Sequence, residues 1–199
     1  MSTDTPDSNA ARRESILQAA ADVFLRYGYK KTSMDDLARA AGLSRQGLYL
    51  HFATKDALFK DAVTRLIRQG LAAARAALDR ADLGVEERLL GAFVALKAHI
   101  DGGAMSPEHM AELFATAAQL VGPVLDELEQ ALAADLARVL QAGGVVARWQ
   151  DTGLSARELA QHLQAASYGA KHHAKTPADY KKRMSVAVRV VCRTLAAPS

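Results

Sequence analysis

Apolar residues recur along this chain three and four positions apart, the spacing of one buried helix face, over nearly its whole length. Residues 12–27 place Ile16, Ala19, Ala20, Val23, Phe24 and Tyr27 on one stripe, which stops at Gly28, a C-cap residue. Ser33 with Asp36 three residues on spells a capping box, and the helix it opens buries Met34, Leu37, Ala38 and Ala41 before ending at Gly42. Leu43 crosses the turn, and Ser44 caps a short third helix with Leu48 and Phe52 facing inward. Thr54 then caps a long fourth helix with the stripe Leu58, Phe59, Ala62, Val63, Leu66, Ile67 and Leu71. Beyond Gly84 the pattern predicts helices near 85–101, 106–120, 123–142, 155–173 and 177–197. Ser106-Pro107 and Thr176-Pro177 each set a capping residue before a proline at the first helical position, and Ser155 with Glu158 forms a second capping box. Val145-Val146 is too short for a strand. The expectation is an all-α chain of about nine helices after a disordered tail over residues 1–9.

Residues 32–55, TSMDDLARAAGLSRQGLYLHFATK, join two short helices through a glycine turn and read as a helix-turn-helix. Leu37, Leu43 and Leu48 fill the space between the helices, which leaves the outer face of the second one free. That face carries Ser44, Arg45, Gln46 and Gly47 at its N-terminal end, the end that reaches base edges when such a helix enters a major groove. Arginine pairs bidentately with guanine and glutamine with adenine. Thr32, Ser33, Ser44 and Lys55 are candidates for phosphate, because hydroxyls and backbone N–H groups at helix N-termini suit an anion.

Charge distribution agrees with a nucleic-acid contact at one end without establishing it. Residues 1–55 hold eight Lys and Arg against six Asp and Glu, residues 56–170 ten against fifteen, and residues 171–199 seven against one. A single cysteine, Cys192, excludes an internal disulfide framework and a cysteine-based zinc cluster. No run of eighteen apolar residues marks a membrane span, and the N-terminus lacks the apolar core of a signal peptide, so a cytoplasmic protein without membrane contact is expected.

Together the helix-one ending Phe24-x-x-Tyr27-Gly28, Thr32-Ser33, Leu37-Ala38-x-Ala40-Ala41-Gly42-Leu43-Ser44 and Leu48-Tyr49-x-His51-Phe52-x-x-Lys55-x-x-Leu58 resemble the TetR family of bacterial transcriptional regulators over about residues 13–60. The resemblance implies phosphate contacts from Tyr49 and His51, a backbone anchor at Lys55, and base contacts from Arg45, Gln46 and Gly47. His51 alone would read as a solvated surface histidine; its place in the string promotes it. Gly47 departs from a strong helix, at a cost of about 1 kcal/mol relative to alanine, and leaves room for close backbone approach to DNA. Leu50 stands where the family often has a polar or basic residue.

The expected organisation is a DNA-binding domain over residues 10–55 and a ligand-binding and dimerisation bundle over residues 56–199. Segment 184–195 has Met184, Val186, Ala187, Val188, Val190, Val191 and Leu195, apolar around most of a helix, which suits burial on two sides. Ala160, Ala165, Ala166, Gly169 and Ala170 on the preceding helix permit close approach, so a homodimer through the last two helices is expected, with a buried monomer core as the alternative. Two recognition helices about one helical turn apart, roughly 34 Å, would read a palindromic double-stranded operator. The resemblance further implies a pocket for a small-molecule effector. Lys97 on an apolar stripe, with Phe93, Met110 and Phe114, is the candidate lining, although a paired or snorkelling lysine and ordinary core packing explain the same residues.

His162, His172 and His173 lack an i+4 histidine partner and paired cysteines, so no metal site is expected. No catalytic set and no phosphate loop after a strand can be read, so neither an enzyme nor a cofactor is expected. The leading reading is a ligand-released transcriptional repressor. The alternative is an architectural or protein-docking protein of the same fold without a small-molecule switch.

Overall fold

The computed structural model describes the backbone of residues 6–100 and 107–193 and the side chains of residues 9–99 and 111–193. Among the described residues the chain is all-α, without strands. The elements are α1 (Pro6–Tyr27), α2 (Met34–Ala40), α3 (Arg45–His51), α4 (Lys55–Leu78), α5 (Val85–Ile100), α6 (Pro107–Ala142), a 3-10 helix Val146–Thr152, α7 (Ala156–His173) and α8 (Pro177–Cys192). The expected helices 106–120 and 123–142 form one run broken at Val121, whose φ of −132° and ψ of 17° are not helical. Pro123 causes the break, since it has no N–H to donate and its ring crowds the preceding turn.

Two compact units are present, Met1–Gln69 with His99–Asp126 and Gly70–Ala98 with Glu127–Ser199. The boundary expected after residue 55 therefore falls inside the first unit. Helix α1 starts at Pro6, so residues 6–9 of the expected tail are helical, while residues 1–5 lie outside the described residues. The sequence pattern missed this turn because residues 9–15 are all exposed and carry no apolar stripe.

The core of the first unit joins Ile16, Ala20 and Phe24 of α1 to Leu37 of α2, Leu48 of α3, and Leu58, Phe59 and Ala62 of α4. Leu113, Ala117 and Val121 of α6 complete it. Tyr27, placed on the α1 stripe by its spacing, is instead 50% exposed, with Arg26 over its ring. Tyr29 supplies the aromatic contact, with Phe24, Tyr29 and Phe59 forming a cluster whose ring centroids lie 4.9–5.9 Å apart.

The second unit packs Leu78, Leu89, Phe93, Leu136, Leu140 and Leu163 against Tyr180, Met184, Val188 and Val191 of α8. Helices α7 and α8 run along one another, capped as the sequence requires. Ser155 and Glu158 form a capping box, and the Asp179 N–H donates to the Thr176 side chain. The far end of α8 is closed by Trp149 Nε1, which donates to the Val191 carbonyl at 2.8 Å, and by Arg148, which donates to that of Cys192. Leu195 and the expected extension to residue 197 lie outside the described residues. No helix among the described residues is long and apolar enough to cross a membrane.

Candidate nucleic-acid interface

Helices α2 and α3 are held at a turn that only glycine fits comfortably, with Gly42 at φ +64°. The turn is closed by Leu43 N–H donating to the Ala38 carbonyl at 2.9 Å. Ser33 caps α2 in a full capping box with Asp36, and Ser44 caps α3 by accepting the Gly47 N–H at 3.0 Å. The hydrogen bonds from the Ser33 side chain and backbone hold the Asp36 carboxyl below its ordinary pKa. Leu48 and Phe52 turn inward, which directs Arg45, Gln46, Tyr49 and Leu50 outward. Leu50 is the extreme case at 83% exposed, an apolar side chain with no packing role in this chain.

Arg45 stands at the start of α3 and is held from two sides. Its Nη1 donates to Asp35 Oδ2 at 3.2 Å, and its guanidinium carbon lies 5.7 Å from the Tyr49 ring centroid. A hydrogen bond with Tyr49 and then the charge of Asp35 raise its pKa further. Gln46 is exposed beside it, and His51 is half-buried at the end of the helix. Gly47 has a reason inside the protein. A Cβ there would lie 3.2 Å from Ser44 Oγ and 3.7 Å from Leu43 Cδ2, so the position points back at the cap rather than out along the exposed face.

All four helix-terminus phosphate candidates make hydrogen bonds within the chain. Thr32 is 3% exposed and its hydroxyl donates to the Gly28 carbonyl at 2.7 Å, so its side chain fastens the loop from below and does not face solvent. Lys55 Nζ donates to the carbonyls of Tyr29 and Thr32 at 3.1 and 3.0 Å and lies 4.1 Å above the Tyr29 ring. The ammonium has three protons, so one remains for a further acceptor. The hydroxyls of Ser33 and Ser44 both serve as N-caps.

The same loop carries residues that local spacing did not reveal. The Tyr29 hydroxyl donates to Asp56, and the Lys30 N–H donates to Glu112 Oε1 at 2.7 Å. Glu112 lies 82 positions from Lys30, beyond the reach of any local motif. Burial, and next the hydrogen bond to Asp56, push the Tyr29 hydroxyl up to about 12. The unfolded chain would release this proton near pH 10 while the folded chain keeps it, so folded stability falls as pH rises from about 10 to about 12. Tyr29→Phe should flatten part of that slope in urea titrations across this range. An unchanged slope would show that Tyr29 is not held protonated by the fold.

Of the four expected pocket residues, Phe93 and Lys97 belong to the second unit and Phe114 to the first, where it is 49% exposed. Met110 lies in α6, and its side chain is outside the described residues. Phe93 is fully buried within the core of the second unit. It is tied to Lys97 through Tyr180, whose hydroxyl shares a 2.8 Å hydrogen bond with Ser167 and donates to the Phe93 carbonyl at 3.4 Å. Lys97 Nζ stands 5.2 Å from the Tyr180 ring centroid. A cleft of about 430 Å³ in the second unit is lined instead by Val85, Glu86, Arg148 and Cys192 among others, and by none of the four. Burial pushes the Cys192 thiol up to about 11, so it stays protonated at neutral pH.

The family model for bacterial regulatory proteins of the tetR family matches residues 16–62. The chain is 34% identical over 95 residues to the HTH-type transcriptional repressor KstR2 of Mycolicibacterium smegmatis, a match covering 48% of this chain and 46% of that protein. It is 47% identical over 53 residues to the HTH-type transcriptional repressor Rv1474c of Mycobacterium tuberculosis, covering 27% and 28% respectively. These matches thus span less than half the length of either relative. A crystal structure of a TetR-like transcriptional regulator from Rhodococcus sp. RHA1 superposes with a TM-score of 0.63 at 26% identity, over 93% of this chain and 98% of that one. Residues 16–62, which hold the capped pair α2 and α3, match the N-terminal helix-turn-helix region of the TetR family of bacterial regulatory proteins.

Proposed function

We propose that this protein is a sequence-specific, DNA-binding transcriptional repressor that acts as a homodimer on a palindromic operator and is released by a small molecule. The observation that carries the reading is the outer face of α3, where Arg45, Gln46, Tyr49 and Leu50 project from a helix pinned by Leu48 and Phe52. Arg45 and Gln46 read bases, and Tyr49 and His51 meet phosphates, joined by the backbone N–H at Ser44. Lys55 holds the loop that Thr32 and Tyr29 belong to, and offers its remaining proton to the DNA backbone. Dimerisation uses the outer faces of α7 and α8, where Val186 and Val190 are about half exposed and Ala165 and Gly169 are exposed as well. The effector sits near Lys97, whose ammonium suits an anionic group. It can release DNA only if it binds the non-binding conformation more tightly than the DNA-bound one.

Selection from random duplex DNA at near-physiological salt, followed by sequencing, tests this reading. Recovery of a two-fold palindrome is the expected result. Arg45→Ala and Gln46→Ala should then relax base preference, while Lys55→Ala weakens binding to every sequence alike. Salt-sensitive binding with no enriched sequence would favour the architectural alternative and overturn the repressor.

A further inference from the structure

Two adjacent acids open α2, and they have different jobs. Asp36 makes the capping box with Ser33. Asp35 reaches across the turn to the recognition helix and accepts from Arg45 Nη1 at 3.2 Å. The Tyr49 ring, one turn further along α3, has its centroid 5.7 Å from the same guanidinium carbon. Arginine carries four rotatable side-chain bonds, and an unsupported arginine at a helix start can sweep between base edges and phosphates. Both members of the pair are about half exposed, so the contact contributes little to folding, and its consequence lies in where the guanidinium points.

We infer that Asp35 is a specificity-determining positioning residue: it orients Arg45 so that the free edge of the guanidinium reads one guanine in each half-site. The inference rests on the DNA-binding reading above and adds a residue that touches no base. A guanidinium has five N–H donors in a fixed fork, and a carboxylate on Nη1 leaves donors on the opposite edge for O6 and N7 of guanine. Asp35 also places a negative charge near the phosphates and repels DNA of any sequence. Its removal therefore moves two quantities in opposite directions. General affinity rises with the lost repulsion, and discrimination at the base pair read by Arg45 falls.

The test uses the full chain, its selected operator, and duplexes varied one base pair at a time at fixed salt. Asp35→Asn should reduce discrimination at one base pair per half-site by about tenfold, the scale of a lost bidentate contact. Binding to the mismatched duplexes should be equal or tighter. Arg45→Ala should flatten the same base pair, the double variant should be no flatter than Arg45→Ala, and Asp35→Glu should restore part of the preference. Far-UV circular dichroism of each variant checks that α2 and α3 remain folded. A uniform rise in affinity with base preference intact would overturn the inference and leave Asp35 a repelling charge. So would base preferences that ignore Arg45→Ala. Failure of the wild-type chain to select any sequence would overturn the sequence-specific reading itself, and the role of Asp35 with it.

Discussion

Phe59→Ala should lower the stability of the first unit by about 3–5 kcal/mol, the scale for truncating a fully buried aromatic ring. The ring is completely buried, 5.0 Å from Phe24 and 4.9 Å from Tyr29, and meets both nearly edge-on. Edge-on contacts of this kind add about 0.5–1.5 kcal/mol to the burial itself. A domain is stable by only about 5–15 kcal/mol, so the loss would remove a large share of the total. Function should suffer more than the melting curve alone suggests. Tyr29 is the ring under Lys55 and the donor to Asp56, and its carbonyl is one of two that Lys55 holds. Freeing Tyr29 loosens the loop leading into α2, and the frame of the recognition helix loosens with it. Urea unfolding with hydrogen exchange of the α1 and α4 amides measures the effect, with Phe59→Leu as a milder control. A loss below 1 kcal/mol for Phe59→Ala would show that the aromatic cluster does not carry the unit. Trp149, in the second unit, provides a separate fluorescence signal for that unit.

The parts of this protein legible in the sequence are those fixed by neighbours a few residues apart. The capping boxes at Ser33 and Ser155, the caps at Ser44, Thr54 and Thr176, and the positive-φ glycines 28 and 42 each follow from a local rule. The inward positions Leu37, Leu48 and Phe52 followed from helical spacing for the same reason. Long-range partners left no local trace. Glu112 caps the Lys30 amide from 82 positions away, and Glu14 pairs with Arg65 from 51. Leu113, Ala117 and Val121 belong to the core of the first unit, a contact that no motif within residues 10–55 signals. Thr32 and Tyr27 mark a further limit of local spacing. Both stand near the end of a regular element, where the chain direction changes within two or three residues. One turns in and the other out. Asp35 and Arg45 pair across the turn at a separation of only ten positions, yet nothing in the composition distinguishes Asp35 from its capping neighbour Asp36.

Val186→Glu combined with Val190→Glu should dissociate the proposed dimer and reduce affinity for a full palindrome by about 10²–10⁴, the range that linking two weak contacts supplies. The two valines are one helical turn apart on α8 and are 49% and 54% exposed, whereas Met184, Val188 and Val191 on the other side are buried. A helix with one apolar side in the core and a second open to solvent leaves the outer valines without a role in the single chain. Glutamates at such exposed positions change the fold of the single chain little, since large destabilisation requires a buried site. Two facing copies would bring four glutamates together, and their repulsion and desolvation oppose association. Sedimentation velocity at micromolar concentration should therefore find a monomer with an unchanged far-UV spectrum. Binding to a single half-site should remain at the wild-type level, because α3 and its frame are untouched. A variant that stays dimeric would move the interface away from α8. A monomer that binds the full palindrome as tightly as the wild type would show that each chain reads its half-site alone, and that the two-fold symmetry of the operator does no energetic work.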